Sequence, residues 1–164
     1  MPRLPSSPKL SFIMIEKSIQ ERLFPNMTCF GCGPANPQGF HLRSYGAEEG
    51  VVVAAYTPRP EHDNGTGFLN GGVIATLLDC HTAALVCQEA AARGWNAEQG
   101  SALAFLTAGF DLRFLRPTPL GPEIELWAKA ESVAEQEVIV LGELRHGDKV
   151  RATIRATWKR FRPR

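Results

Sequence analysis

Residues 68–85 read FLNGGVIATLLDCHTAAL, and Asp79 is the one formal charge in that stretch. A carboxylate inside an apolar helix costs several kcal/mol unless it is paired or hydrogen-bonded. Asp is a poor helix former and has no capping role in a helix interior. Two readings follow. Asp79 is a structural residue bridged to His81, an arginine or a sheet hydroxyl; or it is a general base or nucleophile in a semi-buried cleft that tunes its pKa. Gly71 and Gly72 open the same helix, where backbone N–H groups lack intrahelical partners and no Cβ blocks approach. Such amides can stabilise a negative charge developing on a carbonyl oxygen; the plain alternative is a Gly-Gly turn into a helix. Asn70, just before them, is a favoured N-cap.

The remaining reactive side chains are more scattered. His81 lies two residues beyond Asp79 and points away from it by roughly 200° on a helix, as a satisfied core or interface histidine would. His62 falls in a long loop, where it lines an entrance or is solvated. Asn64 belongs to an Asn-Gly turn. Cys29 and Cys32 form a C-x-x-C in CFGCG, half of the pattern a zinc site needs. Cys80 and Cys87 do not supply the other half together, since seven helical residues separate them by about 10 Å along the axis. The Cys pair is therefore expected to be two small apolar residues in a Gly-rich turn, with no metal and no cofactor bound.

These groups need elements to hold them. At 164 residues, 44% apolar and 21% charged, the chain suits one soluble domain. A net charge of +1 gives no general reason to expect nucleic acid or an anionic membrane as partner. The apolar run Val73–Cys87 is interrupted by Asp79 and His81 and is too short to span a bilayer. LSFIMI is too short for a signal peptide, so a cytoplasmic protein is expected. Residues 1–9, with Pro2, Pro5 and Pro8, look like a loose arm ahead of a single domain over 10–164.

Apolar spacing predicts a short amphipathic helix over Leu10–Phe24, stopped by Pro25, and a turn-rich CFGCGPANPQG. Strands are expected at Phe40–Tyr45 and Val51–Tyr56, then an eleven-residue loop, TPRPEHDNGTG. A largely buried helix follows over Gly72–Arg93, ended by Gly94. Four strand-like runs come last: Ala102–Arg116, Glu123–Val133, Glu137–Arg145 and Lys149–Phe161. AEQ and HGD reverse the chain between the last three. In the final run Val150, Ala152, Ile154, Ala156 and Trp158 share one face and charged or hydroxyl residues the other, as in a half-buried antiparallel strand. A helix apolar nearly all round must be enclosed, so an α+β layer is expected, its antiparallel sheet curved about the long helix.

This order, with three local motifs, resembles the hotdog fold, and more narrowly the PaaI-like (phenylacetate-pathway type) acyl-CoA thioesterases. CFGCG followed by NPQGFHL is similar to a Cys-rich lead-in of one branch of that family. NGTGFLNGGVIATLLDCHTAAL resembles its central motif, His-Gly-Gly followed after seven residues by Asp. TAGFDLRFLRPTPLG resembles the strand and Pro-Gly turn after the helix. The family's histidine is Asn70 here, whose NH2 could still polarise a carbonyl but cannot change charge.

The resemblance implies Asp79 as the catalytic carboxylate, Gly71 N–H as the oxyanion hole, and Asn64 as a polar site residue. Thr107 matches the Ser/Thr that orients the attacking water from the neighbouring subunit. Strand alternation sets Thr107, Gly109, Asp111 and Arg113 on one face, which makes Asp111 a candidate accessory. The C-terminal Arg145, Lys149, Arg151, Arg155, Lys159, Arg160 and Arg162 are a solvated strand face or a neutraliser of coenzyme A phosphates. The implied function is hydrolysis of an acyl-CoA thioester in a homodimer, with a tetramer of two dimers as a further assembly. A non-catalytic acyl-CoA-binding or lipid-binding hotdog protein is the alternative. A hotdog enoyl-thioester hydratase ranks third. Asp79 and Gly71 are about 12 Å apart along one helix, so the implied site pairs one subunit's Gly71 with the other's Asp79.

Overall fold

The computed structural model describes residues 17–98 and 102–162. The arm expected at 1–9 and the first part of the helix expected over Leu10–Phe24 lie outside them. The described helix, α1, is Ile19–Leu23, opened by a reciprocal cap in which Ser18 and Glu21 satisfy each other's backbone amides.

Six strands form one antiparallel sheet: β1 (Tyr45–Gly46), β2 (Val51–Tyr56), β3 (Phe105–Phe114), β4 (Ile124–Val133), β5 (Glu137–His146) and β6 (Lys149–Arg160). Their spatial order is β1-β2-β4-β5-β6-β3, so β3 crosses to the far edge. The reversals fall where expected. Ala134 and Glu137 exchange backbone hydrogen bonds around 135–136, and Gly147 takes a positive φ of 56° in the turn into β6. On β6, Ala152, Ile154, Ala156 and Trp158 are buried, as the alternation required; Val150, expected on the same face, is half-buried and pairs with Arg145 on the other face, because Arg151 is an extra residue in the register.

The expected strand Phe40–Tyr45 shrinks to the two residues of β1. His41 has φ 57°, and Phe40 and Leu42 donate their N–H groups to Phe30 and Gly31 of the Cys-rich turn. The segment thus fastens that turn to the core instead of extending the sheet.

The long helix, α2, spans Gly71–Ala92, and Gly94 with φ 69° ends it in the left-handed conformation. At 22 residues and a mean hydropathy of 1.2, it is long and apolar enough to cross a membrane by length and composition, contrary to the expectation from its interrupted run. Its packing makes it a core helix: Leu77, Leu78, Ala84 and Leu85 are buried with Val52, Leu126, Val140 and Ile154 of the sheet. Gly142 of β5 faces the helix: a Cβ there would sit 3.4 Å from Thr82 Cγ2 of α2 and 2.8 Å from Ile154 Cγ2 of β6.

One polar chain runs through this core. Gln20 Nε2 donates to Ser44 Oγ (3.2 Å), and Ser44 Oγ meets His81 Nδ1 at 2.9 Å. His81 Nε2 lies 3.1 Å from the Val52 carbonyl oxygen, which makes it the protonated nitrogen and Nδ1 the acceptor. His81 is therefore the satisfied core histidine expected. Burial lowers its pKa to about 4. The unfolded chain binds this proton more readily, so the contribution is complete above pH 6.5 and is lost as pH falls toward 4. The expected loss is about 2 kcal/mol at pH 5. Urea unfolding at pH 7.5 and pH 5 measures it, and His81→Gln should flatten that pH dependence whatever it does to absolute stability.

Candidate functional site

Thr107 of β3 donates its hydroxyl to Asp79 Oδ1 at 2.9 Å. Burial pushes the Asp79 pKa up; the Thr107 hydrogen bond opposes this, and the nearby Cys29 adds to it. The second carboxylate oxygen has no hydrogen-bond partner among the described residues. The carboxylate is thus half-desolvated, anchored through one oxygen, and able to take a proton through the other. The partner is a sheet hydroxyl, one of the structural partners foreseen, so the same contact serves the structural and the catalytic reading. Thr107 comes from the same chain as Asp79, where the resemblance implied the neighbouring subunit.

A bulge in β3 makes this contact. Thr107 pairs with Trp158 and Gly109 with Thr157, leaving Ala108 as an extra residue. Thr107 therefore shares the inner face with Phe110, Leu112 and Phe114, which pair with Ala156, Ile154 and Ala152. Gly109, Asp111 and Arg113 move to the outer face. Asp111 pairs there with Arg113 at 3.3 Å, so it is not an accessory to Asp79. Simple alternation missed the bulge because nothing in TAGFD marks Ala108 as the inserted residue.

Asp79 and Thr107 line an apolar cavity of about 180 Å³, walled by Ile19 and Phe24 at one end and by Leu106 and Trp158 on the sheet side. Cys29, Cys32, Cys80 and Cys87 line it too. The Sγ atoms of Cys29, Cys32 and Cys80 lie within 4.8 Å of one another, with Cys29 and Cys80 3.7 Å apart. As expected, Cys80 and Cys87 do not join CFGCG together, but the reading of Cys29 and Cys32 as an isolated pair in a Gly-rich turn is corrected. Cys80 alone completes a trio, because the turn is laid across the helix face that carries it. Gly31 permits this approach, since a Cβ there would meet Cys80 Sγ at 2.4 Å. Among the three thiols Cys29 is favoured as the thiolate: contacts from the thiols of Cys32 and Cys80, and backbone N–H groups of Cys32 and Gly31, pull its pKa well down. Cys32 and Cys80 move up, each chiefly through its contact with Cys29.

The helix start forms a separate cluster. Asn70 Oδ1 accepts from Gly72 N–H at 2.7 Å and so caps α2. Gly71 N–H has no hydrogen-bond partner among the described residues, and a Cβ at Gly71 would lie 3.3 Å from Phe114 Cζ. Asn64 Oδ1 accepts from Thr66 N–H and Thr66 Oγ1, so its carboxamide organises the exposed loop it sits in. Within one chain, then, the predicted residues fall into two groups. Asp79 and Thr107 are together; Asn70 and Gly71 lie eight or nine residues up the helix.

Two other expectations change. His62 neither lines an entrance nor is solvated: it is buried, with Nδ1 3.2 Å from Arg59 N and its ring against Phe40 and Tyr56. The basic C-terminal strand is largely committed to neighbours. Arg155 pairs with Glu131, Lys159 with Glu137 and Arg145 with Glu143, while Arg151 donates to the Pro117 carbonyl. That favours the solvated-face reading over phosphate binding.

The sequence matches no family model and no curated protein. Solved structures are more informative. A thioesterase superfamily protein from Shewanella loihica PV-4 is 30% identical, over 78% of this chain and 97% of that one, with a TM-score of 0.59. A phenylacetic acid degradation-related protein from Ralstonia eutropha JMP134 is 25% identical, over 87% of this chain and 99% of that one, with a TM-score of 0.66. Another thioesterase superfamily protein is 25% identical over 79% of this chain, with a TM-score of 0.64; the present chain spans 62% of its length. An antiparallel sheet carrying one long helix is common to them, and the likeness extends along almost the whole of the first two. The chain belongs to the thioesterase superfamily, as a PaaI-like member with the hotdog fold.

Proposed function

We propose that the protein hydrolyses acyl-CoA thioesters at a site shared by two copies in a homodimer. The observation that carries this reading is the Asp79–Thr107 hydrogen bond on the wall of an apolar cavity. Asp79, its pKa raised by burial, takes a proton from a water held between its free oxygen and the Thr107 hydroxyl. That water attacks the thioester carbonyl carbon. The negative charge forming on the carbonyl oxygen is met by a backbone amide, and the C–S bond then breaks as Asp79 returns the proton to the leaving sulfur, releasing CoA thiol and the acid. The apolar walls suit the acyl chain, and CoA enters as part of the substrate, not as a resident cofactor.

The amide is Gly71 N–H of the second copy. Gly71 and Asp79 of one chain are about 12 Å apart along α2, too far for one carbonyl to touch both. The surface offers a way for two chains to meet. β3 is a ten-residue edge strand, a template for pairing with a second copy. Its inner-face Phe110 and Phe114 are 46% and 57% exposed, and Phe114 lies against Gly71. A two-fold pairing about β3 covers these rings and carries each helix start toward the other chain.

The test is release of free thiol across a panel of short, long and aromatic acyl-CoAs. Saturable turnover with at least one member is expected. Saturable binding with no hydrolysis above background would instead make the protein a binder.

A further inference from the structure

Cys29, Cys32 and Cys80 are more than cavity lining. Three sulfurs from a loop and a helix converge within 4.8 Å, and the 3.7 Å between Cys29 and Cys80 suits a shared ion. Two thiolates bound to one tetrahedral zinc at about 2.3 Å each lie about 3.8 Å apart. We propose that these three cysteines form a zinc site, with water in the fourth position facing the cavity that Asp79 also lines. This departs from the sequence expectation of no metal.

The surroundings are those of a built site. Cys29 and Cys32 sit on a turn closed by Gly33 N–H donating to the Cys29 carbonyl (2.9 Å) and by Ala35 N–H donating to that of Met27 (3.0 Å). A Cβ at Gly33 would come within 2.3 Å of Cys29 N, so the turn takes this shape only with glycine there. Gly31 lets the turn press on Cys80, and Arg43 Nη1 holds the Cys32 carbonyl at 3.2 Å. An all-sulfur donor set selects zinc over harder divalent ions. Bound there, the ion clips the CFGCG turn to α2 and fixes the cavity wall beside Asp79. Cys87 lines the same cavity but is not part of the trio, which makes it an internal control.

The experiment uses the full chain, purified without chelator from zinc-supplemented cells, and needs no substrate. Its outcome is therefore independent of the thioesterase reading. Metal analysis should give about one zinc per chain, retained in Cys87→Ser and reduced at least tenfold in Cys80→Ser. Thiol titration of the native protein should find the trio protected until a chelator is added. Cobalt in place of zinc should show thiolate-to-metal charge-transfer absorption in the near ultraviolet. This wild-type spectrum decides the matter even if Cys80→Ser fails to fold. Absence of both metals from the wild type, a Cys29–Cys80 or Cys29–Cys32 disulfide in their place, or full zinc retention in folded Cys80→Ser would each overturn the proposal.

Discussion

Asp79→Asn is expected to lower turnover of the best acyl-CoA by about a thousandfold, within the range seen when a general base is removed. The fold and assembly should persist. Asn keeps an oxygen where Asp79 Oδ1 accepts from Thr107, so the contact to β3 survives while the proton acceptor is lost. Stability provides the counter-test. The folded-state pKa of Asp79 is raised, chiefly by burial, so its charged form is disfavoured by folding. The linkage sign is opposite to that of His81: stability is greatest below the unfolded pKa of Asp79 and falls as pH rises toward the folded one. An uncharged Asn escapes that penalty, and the variant should be as stable as wild type at pH 7.5, or more so. Lost activity with unchanged or raised stability fits a base held at a cost to the fold. Full turnover in the variant would remove Asp79 from the chemistry, and equal loss of turnover and stability would make it a structural residue. Thiol release and urea unfolding on the same samples separate these outcomes.

The legible parts of the sequence were those governed by local rules. Periodicity located α2 to within a residue at each end, because Asn70 caps it and Gly94 stops it. Alternation on β6 assigned the buried face correctly from Ala152 to Trp158, since that strand is flanked on both sides and covered by α2, but a register shift at Arg151 sets Val150 opposite Arg145 on the other face. What escaped were contacts between segments distant in sequence. The Ala108 bulge reverses the faces of β3 beyond Thr107, so Asp111 was placed with Thr107 when it faces outward with Arg113. Cys80 joins Cys29 and Cys32 across more than forty residues, through an approach that depends on Gly31 having no side chain. The resemblance to known thioesterases singled out Thr107 but placed it in the neighbouring subunit, while the residues alone offered His81, an arginine or a sheet hydroxyl as partners of Asp79; that Thr107 of the same chain is the partner follows from the fold. His62 looked like a loop residue because sequence does not show that Phe40 and Tyr56 close over it.

Mixing two inactive variants should restore activity, and this gives the sharpest test of the shared site. Gly71→Pro removes the amide proposed to hold the oxyanion, while proline is well tolerated at the first position of a helix. Its Cβ meets the far edge of the Phe114 ring at 3.3 Å, a contact that a shift of a few tenths of an ångström relieves. Alone, Gly71→Pro should lose about a hundredfold or more in turnover, as loss of one oxyanion donor does elsewhere. Now let equal amounts of Gly71→Pro and Asp79→Asn chains be unfolded together and refolded. Random pairing makes half the dimers mixed. In each mixed dimer one site combines the intact Gly71 of one chain with the intact Asp79 of its partner, and the other site has neither. Activity should therefore return to about a quarter of wild type, a figure set by the two-fold symmetry of the pair and by no property of the substrate. A site contained in one chain yields no recovery under any mixing ratio, because every chain then carries its own defect. Recovery with each parent dimer confirmed by size would assign Gly71 and Asp79 to opposite sides of one interface.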